Sequence, residues 1–286
     1  MQKEVIIFVA DDNYIEHAKA LAVNCRVQGN YKGDFAVICP VNSTASQEFK
    51  KYGFYVLEVE ATGFLQKFFI FDKFFKQWEK AFYLDCDILI QDNLSRLFDL
   101  LNNGDEWGKG DIWMDTEDGK IIEMFWRDKE KESHADIYEM LNREYPHVNT
   151  NQTFNTAFIL FHPSAIKEDT TQRLIDLQAR IHEANNPAKS GTDQETINIL
   201  MSNEIKKIPN KMVCFWGCAE PQNDVFSETR GWRGGEIVIG VHYCRWYAPW
   251  LEKRPDMDAY FLHRLNIPCN ELYKQNLSKF NEIFSQ

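Results

Sequence analysis

Short apolar runs bounded by turn-forming residues recur along the chain. VIIFVA (5–10), FAVICP (35–40), YVLEVE (55–60), AFYLDCDILI (81–90), NTAFILF (155–161) and IVIGVHYC (237–244) each have the length and side chains of a buried strand. Between the first two the apolar spacing becomes helical. Ala18, Leu21, Ala22 and Cys25 share one stripe over Tyr14–Gln28, and Asn13 with Glu16 has the spacing of a capping box. Strand, helix, strand at these intervals predicts a βαβ unit, and with it a mostly parallel sheet with right-handed crossovers. The expected class is α/β.

Further along, HPSAIKEDTTQRLIDLQARIHEANN (162–186) predicts a helix with Leu174, Leu177 and Ile181 on one face. Thr192-Asp193-Gln194-Glu195 is a second capping box, opening a short helix through Leu200. Seven of the 21 phenylalanines fall between Phe64 and Phe82, which predicts a helix laying a broad aromatic face on the sheet. Residues 99–144 hold 14 acidic and 6 basic side chains and several turn signals. That segment is expected to be a surface excursion rather than another layer, although Trp107, Trp113 and Trp126 argue against plain disorder.

Composition narrows the class. With 286 residues the chain can bury a sizeable core, and 44% hydrophobic against 26% charged residues excludes wholesale disorder. A net charge of −11 argues against nucleic acid as the main partner, because a phosphate backbone needs a basic stripe. An anionic ligand would require a cation or a local basic pocket. No apolar run reaches membrane-spanning length, and the N-terminus reads as a first strand rather than a signal peptide. The expectation is a cytoplasmic protein, at most peripheral to a membrane. Seven cysteines at irregular spacing fit reduced thiols, and Cys214 with Cys218 reads as buried small hydrophobes rather than a zinc site.

Chemistry concentrates in two places. Asp85-Cys86-Asp87 follows AFYL and precedes ILI, so two carboxylates two positions apart sit where a buried strand ends. Unpaired acids there are costly, and a hard cation or strong donor is expected to hold them. His242 closes the run IVIGVH, and by itself such a histidine is an ordinary core residue. With the two carboxylates it completes an oxygen-and-imidazole set that suits Mn²⁺ better than Ca²⁺. The metal would supply the positive charge that the acidic chain lacks.

The order of motifs resembles glycosyltransferase family 8. FVADDNY (8–14), KAFYLDCDILIQDNLSRLFD (80–99), FNTAFILFHPS (154–164), GTDQETIN (191–198) and VHYCRWYAPW (241–250) are similar to that family's conserved segments, in the family's order. The resemblance implies a GT-A type fold, a mostly parallel Rossmann-like sheet with flanking helices, over one domain at 1–250. In that division 99–150 is the acidic excursion and 251–286 a C-terminal helical tail. It implies a metal-dependent retaining hexosyltransferase with a DxD motif. The donor would be UDP-galactose or UDP-glucose and the acceptor a glycan or lipid-linked saccharide. Residue by residue, Asp85, Asp87 and His242 would hold Mn²⁺, with Mg²⁺ as the alternative. Ala10, Asp11, Asn13 and Tyr14 would line the uracil and ribose pocket, with Asp85 also touching the ribose. Lys67 would lie near the sugar and phosphate, while Asn155, Asp193 and Gln194 would surround the transferred sugar as catalytic groups.

Thr156 and Ala157 replace the family's Ser and Gly, a mild departure that could narrow the sugar pocket, and two further departures matter more. The family's glycine in the last motif is Arg245 here, and its diphosphate-binding lysine is Ala248. Arg245 could replace the missing cation from a neighbouring position. The alternative is a catalytically weakened UDP-sugar-binding or scaffold protein of the same fold.

Overall fold

The computed structural model describes residues 3–102, 112–121, 135–184, 193–209, 212–216, 232–233, 236–237, 239–243, 248–251 and 267–285. In chain order it begins β1 (Glu4–Val9), α1 (Ile15–Val27), β2 (Asp34–Pro40), α2 (Thr44–Lys51) and β3 (Tyr55–Val59). Two 3₁₀ segments, Gly63–Phe71 and Lys73–Gln77, lead into β4 (Lys80–Leu84), β5 (Ile88–Ile90) and the single turn α3 (Ser95–Phe98). Then come β6 (Ile112–Lys120), α4 (Ala135–Glu144), β7 (Gln152–Phe161), α5 (Thr170–Ala184) and α6 (Asp193–Met201). The remainder comprises β8 (Ile205–Lys207), β9 (Val213–Trp216), β10 (Trp232–Arg233), β11 (Glu236–Ile237), β12 (Gly240–Tyr243) and α7 (Cys269–Phe284).

Seven strands form the main sheet in the order β3-β2-β1-β4-β7-β6-β8. All run in one direction except β7, which is antiparallel to both of its neighbours. Alternation within each strand builds two cores. Ile6, Phe8, Val37, Phe82, Leu84 and Phe158 face α1 and α7 on one side. Val5, Ile7, Ile38, Ala81, Tyr83 and Ile159 face the 3₁₀ segments, α5 and α6 on the other. The run of β-branched and aromatic residues is continuous because both faces are covered. A second, three-stranded sheet, β5-β12-β9, stands beside the first, and β10 pairs with β11.

Several sequence expectations are corrected. AFYLDCDILI is two strands in two sheets, β4 and β5, separated by a turn that the Ile88 N–H closes on the Asp85 carbonyl at 3.2 Å. The phenylalanine-rich stretch is not an α-helix. Asp72 is extended between the two 3₁₀ segments and its carboxylate caps the second through the Phe74 N–H at 2.7 Å. Short tight turns let Phe68, Ile70, Phe71 and Phe75 all reach the core, which one helical stripe does not. The acidic segment 99–150 is more than a surface excursion: β6 lies between β7 and β8 with Ile112, Trp113 and Met114 buried. Its acidic neighbours conceal a strand whose register against β7 shifts after Met114. Trp107 and Trp126 lie outside the described residues, as do Cys218 and Thr192. The Asn13–Glu16 capping box does not form. The helix starts without a side-chain cap, and the Asn13 N–H turns back to Asp11 Oδ1 at 2.9 Å. Cys25, Cys39, Cys86 and Cys269 are buried.

The C-terminal helix α7 belongs to the core. Phe280 is 2% exposed and packs on Tyr52 and Phe284, with ring centroids 4.8 Å apart in both pairs. Tyr52 also donates to Asn281 Oδ1 at 2.7 Å. Phe280→Ala should therefore lower unfolding stability by about 3–5 kcal/mol, measured by urea denaturation of the full chain.

Candidate active site

In the strand order β3-β2-β1-β4 the chain winds outward from β1 in one direction and then returns to its other side. The carboxyl ends of β1 and β4 thus flank a switch point, where open α/β sheets form a crevice. A cleft of about 320 Å³ lies there, lined by Asp11 and Tyr14 from beyond β1 and by Asp85, Cys86 and Asp87 from beyond β4. Gly63, Phe64, Gln66 and Lys67 of the first 3₁₀ segment and Asp193 at the start of α6 complete its walls.

The turn between β4 and β5 determines where the two acids stand. The Asp85 N–H is pinned to the Ala157 carbonyl of β7 at 3.0 Å, and the Asp87 carbonyl accepts the Tyr243 N–H of β12 at 3.0 Å. Because β12 pairs with β5 in the register His242↔Ile88, the imidazole comes alongside Asp87. His242 Nε2 lies 3.2 Å from Asp87 Oδ1. One ligand atom from each of Asp85, Asp87 and His242 falls within 4.8 Å of the others. Donors around one six-coordinate ion at about 2.1 Å stand roughly 3 Å apart when adjacent and about 4.2 Å when opposite. The set fits a hard or borderline divalent cation with little closure. Burial disfavours a charge on His242, but Asp87 and then Asp85 outweigh it and raise its pKa above that of an ordinary histidine. Cys86, between the two acids, is held as a thiol, since burial and then both carboxylates push its pKa well up. Its Sγ faces the Val9 carbonyl at 3.5 Å instead of the cleft acids.

Beside this cluster sits a second one built on a buried cation. Lys67 Nζ lies 2.9 Å from Asp85 Oδ1 and 2.8 Å from Asp193 Oδ2, and donates to Thr156 Oγ1 at 3.1 Å. Thr156 in turn donates to Asp193 Oδ2 at 2.9 Å. The Tyr83 hydroxyl donates to Asp85 Oδ1. Burial opposes the charge on Lys67, but Asp193 and Asp85 together prevail and raise its pKa. The ammonium therefore stays charged inside the protein. Tyr83 was not among the expected site residues, since it lies in a strand-like run whose local pattern signals only burial.

The expected site residues divide accordingly. Asp11, Tyr14, Lys67, Asp85, Asp87 and Asp193 share the cleft, and His242 backs the acidic pair. Ala10 is buried just behind the cleft, and Asn13 is exposed. Asn155 is buried in β7, where its Oδ1 accepts the Ala157 N–H at 2.9 Å, and it does not line the cleft. Gln194 is half-buried on α6 and does not line it either. Ala248 is buried at 3% exposure, and Arg245 lies outside the described residues. Tyr14, 44% exposed, is steadied from behind by an aromatic group the sequence does not announce. His17 stacks on Trp250 at 3.7 Å, contacts Tyr14 edge-on at 5.4 Å, and has Nδ1 2.8 Å from the Tyr273 hydroxyl.

A cleft at the switch point of a mostly parallel sheet, beside three donors that could hold a cation, is where open α/β folds place a ligand site. The sequence profile of glycosyl transferase family 8 matches residues 60–254, and the chain belongs to that family. The structure is similar to that of the galactosyltransferase LgtC solved with donor and acceptor sugar analogues, at TM-score 0.59 and 14% identity, covering 95% of each chain. It is also similar to the glycosyltransferase GlyE of Streptococcus pneumoniae TIGR4, at TM-score 0.59 and 16% identity, covering 97% of this chain and 64% of that one. The bifunctional glycosyltransferase WbbM matches at TM-score 0.60 and 14% identity, over 99% of this chain and 51% of its own. No curated protein matches by sequence. The shared fold is the GT-A type, and the family is one of glycosyltransferases.

Removing the buried cation tests the second cluster. Lys67→Met would leave the Asp85 and Asp193 carboxylates without their shared partner and should cost about 3–5 kcal/mol of stability, read by chemical denaturation.

Proposed function

We propose that this protein is a metal-dependent, retaining hexosyltransferase that transfers galactose or glucose from a UDP-sugar to a glycan or lipid-linked saccharide. One observation carries the reading: Asp85 and Asp87 of the β4–β5 turn and His242 of β12 have three possible ligand atoms within 4.8 Å of one another. They stand at the cleft that Asp11 and Tyr14 flank on one side and Lys67 and Asp193 on the other.

In this reading Asp11 and Tyr14 take the nucleoside, and Asp85, Asp87 and His242 would hold Mn²⁺ or Mg²⁺, which would supply positive charge for the diphosphate of the departing UDP. Lys67 adds a fixed positive charge on the same side and, with Thr156, holds the Asp193 carboxylate toward the sugar. As the bond from the anomeric carbon to the phosphate oxygen breaks, positive charge grows on the sugar, and the Asp193 carboxylate opposes it. The acceptor oxygen bonds to that carbon on the face UDP leaves, and its proton passes to the departing phosphate oxygen. Asn155 and Gln194, which do not line the cleft, take no part in this account.

A second reading rests on Ala248. A buried alanine stands where the family resemblance puts a diphosphate-binding lysine, which favours a weakened enzyme or a UDP-sugar-binding scaffold. Among the described residues no helix is long and apolar enough to cross a membrane, in keeping with an acceptor met at most at a membrane surface.

Release of UDP from UDP-galactose and UDP-glucose, measured with and without Mn²⁺, separates the two. The transferase reading expects metal-dependent release that Asp87→Ala reduces roughly 100-fold or more. UDP binding without release by the native protein favours the scaffold, and near-normal turnover by the variant removes the metal from the account.

A further inference from the structure

Gln66 is anomalous within the site. It lines the cleft, yet it is 2% exposed, and its buried Nε2 has no hydrogen-bond partner. An amide nitrogen withdrawn from water without an acceptor is destabilising, and such groups in folded proteins call for a specific reason. A methionine or leucine would fill the same space without that penalty. Its chain neighbour Lys67, by contrast, belongs to a bonded cluster with Thr156, Tyr83, Asp85 and Asp193.

The backbone explains how this amide can reach a ligand. In a 3₁₀ segment residues three apart eclipse, so Gly63 lies over Gln66 and Phe64 over Lys67. Gly63 has φ +60°, a conformation that suits glycine, and a Cβ added there would meet nothing within 4 Å. The absent side chain leaves open space on the cleft side of Gln66. Phe64, 43% exposed on the same wall, offers an apolar face next to it. A neutral amide donor beside an aromatic ring suits a hydroxylated sugar ring better than a phosphate, and the neighbouring Lys67 already supplies the charge on this wall.

We propose that Gln66 determines donor-sugar specificity by turning its amide into the space beside Gly63 and donating a hydrogen bond to a hydroxyl of the transferred hexose. This rests on the UDP-sugar reading above. It adds a contact that discriminates among sugars, separate from the groups that hold the nucleotide and the cation.

Calorimetric binding of UDP, UDP-glucose, UDP-galactose and their deoxy analogues to the native chain and to Gln66→Met, with Mn²⁺ present, is the test. The variant should bind UDP within about twofold of the native protein but lose roughly 5- to 100-fold for the preferred UDP-hexose. One deoxy analogue, lacking the contacted hydroxyl, should bind both proteins alike. The ligand-free melting temperature should stay level or rise by roughly 2–4 °C, because the unpaired amide is gone. Unchanged UDP-hexose binding, an equal loss for UDP and UDP-hexose, or a fall in ligand-free melting temperature would each overturn the assignment of Gln66. A native chain that binds neither UDP nor UDP-hexoses would instead remove the reading on which it rests.

Discussion

The site depends on a three-residue break between two sheets. β4 ends at Leu84 in the large sheet, β5 begins at Ile88 in the small one, and the chain between them has to satisfy both. Its backbone is anchored to β7 through the Asp85 N–H and to β12 through the Asp87 carbonyl, so neither acid can shift without opening a ladder. Cys86 fills the buried side of the turn, which leaves the flanking carboxylates facing the cleft. Had AFYLDCDILI continued as one strand, β12 would have had no separate edge to pair with, and His242 would have lacked its register to the acidic pair.

Charge is the second constraint. Asp85, Asp87 and Asp193 converge in a partly buried volume of a chain that carries a net charge of −11. One buried ammonium, Lys67, bridges two of them, and His242 stands against the third. The bridge does double service. It lowers the cost of holding three acids close together, and it fixes Asp193 relative to Asp85 although 108 positions separate them along the chain. Thr156 ties the same network to β7 by hydrogen bonds, and the next residue of that strand, Ala157, supplies the carbonyl that pins Asp85. The cation cluster and the lysine cluster therefore share Asp85, and a change in either is felt by the other.

Much of this was legible in the sequence where local physics decides. Continuous apolar runs mark β1, β2, β4 and β7 because both faces of those strands are covered, and the stripe of Ala18, Leu21, Ala22 and Cys25 marks α1. β6 escaped because only Ile112, Trp113 and Met114 are apolar before a run of acids, and three residues do not establish a period. The stretch around Phe68 and Phe75 was misread because aromatic density records burial and says nothing of helix type. The chemistry divided the same way. Asp85 and Asp87 were visible as acids inside an apolar run, whereas Gln66 and Tyr83 were not, since their types are unremarkable until a neighbour arrives.

The sequence by itself determined which segments bury, which residue types sit at strand ends, and that the acidic pair requires a positive partner. Those follow from hydrophobic periodicity and from the cost of desolvating charge, both of which act over a few residues. The tertiary structure alone decided that Lys67, Asp85, Asp193 and His242 meet, that Asn155 turns into its own strand, and that α7 closes the core. Those depend on strand order and on the register between two sheets, set by long-range packing that no local pattern encodes.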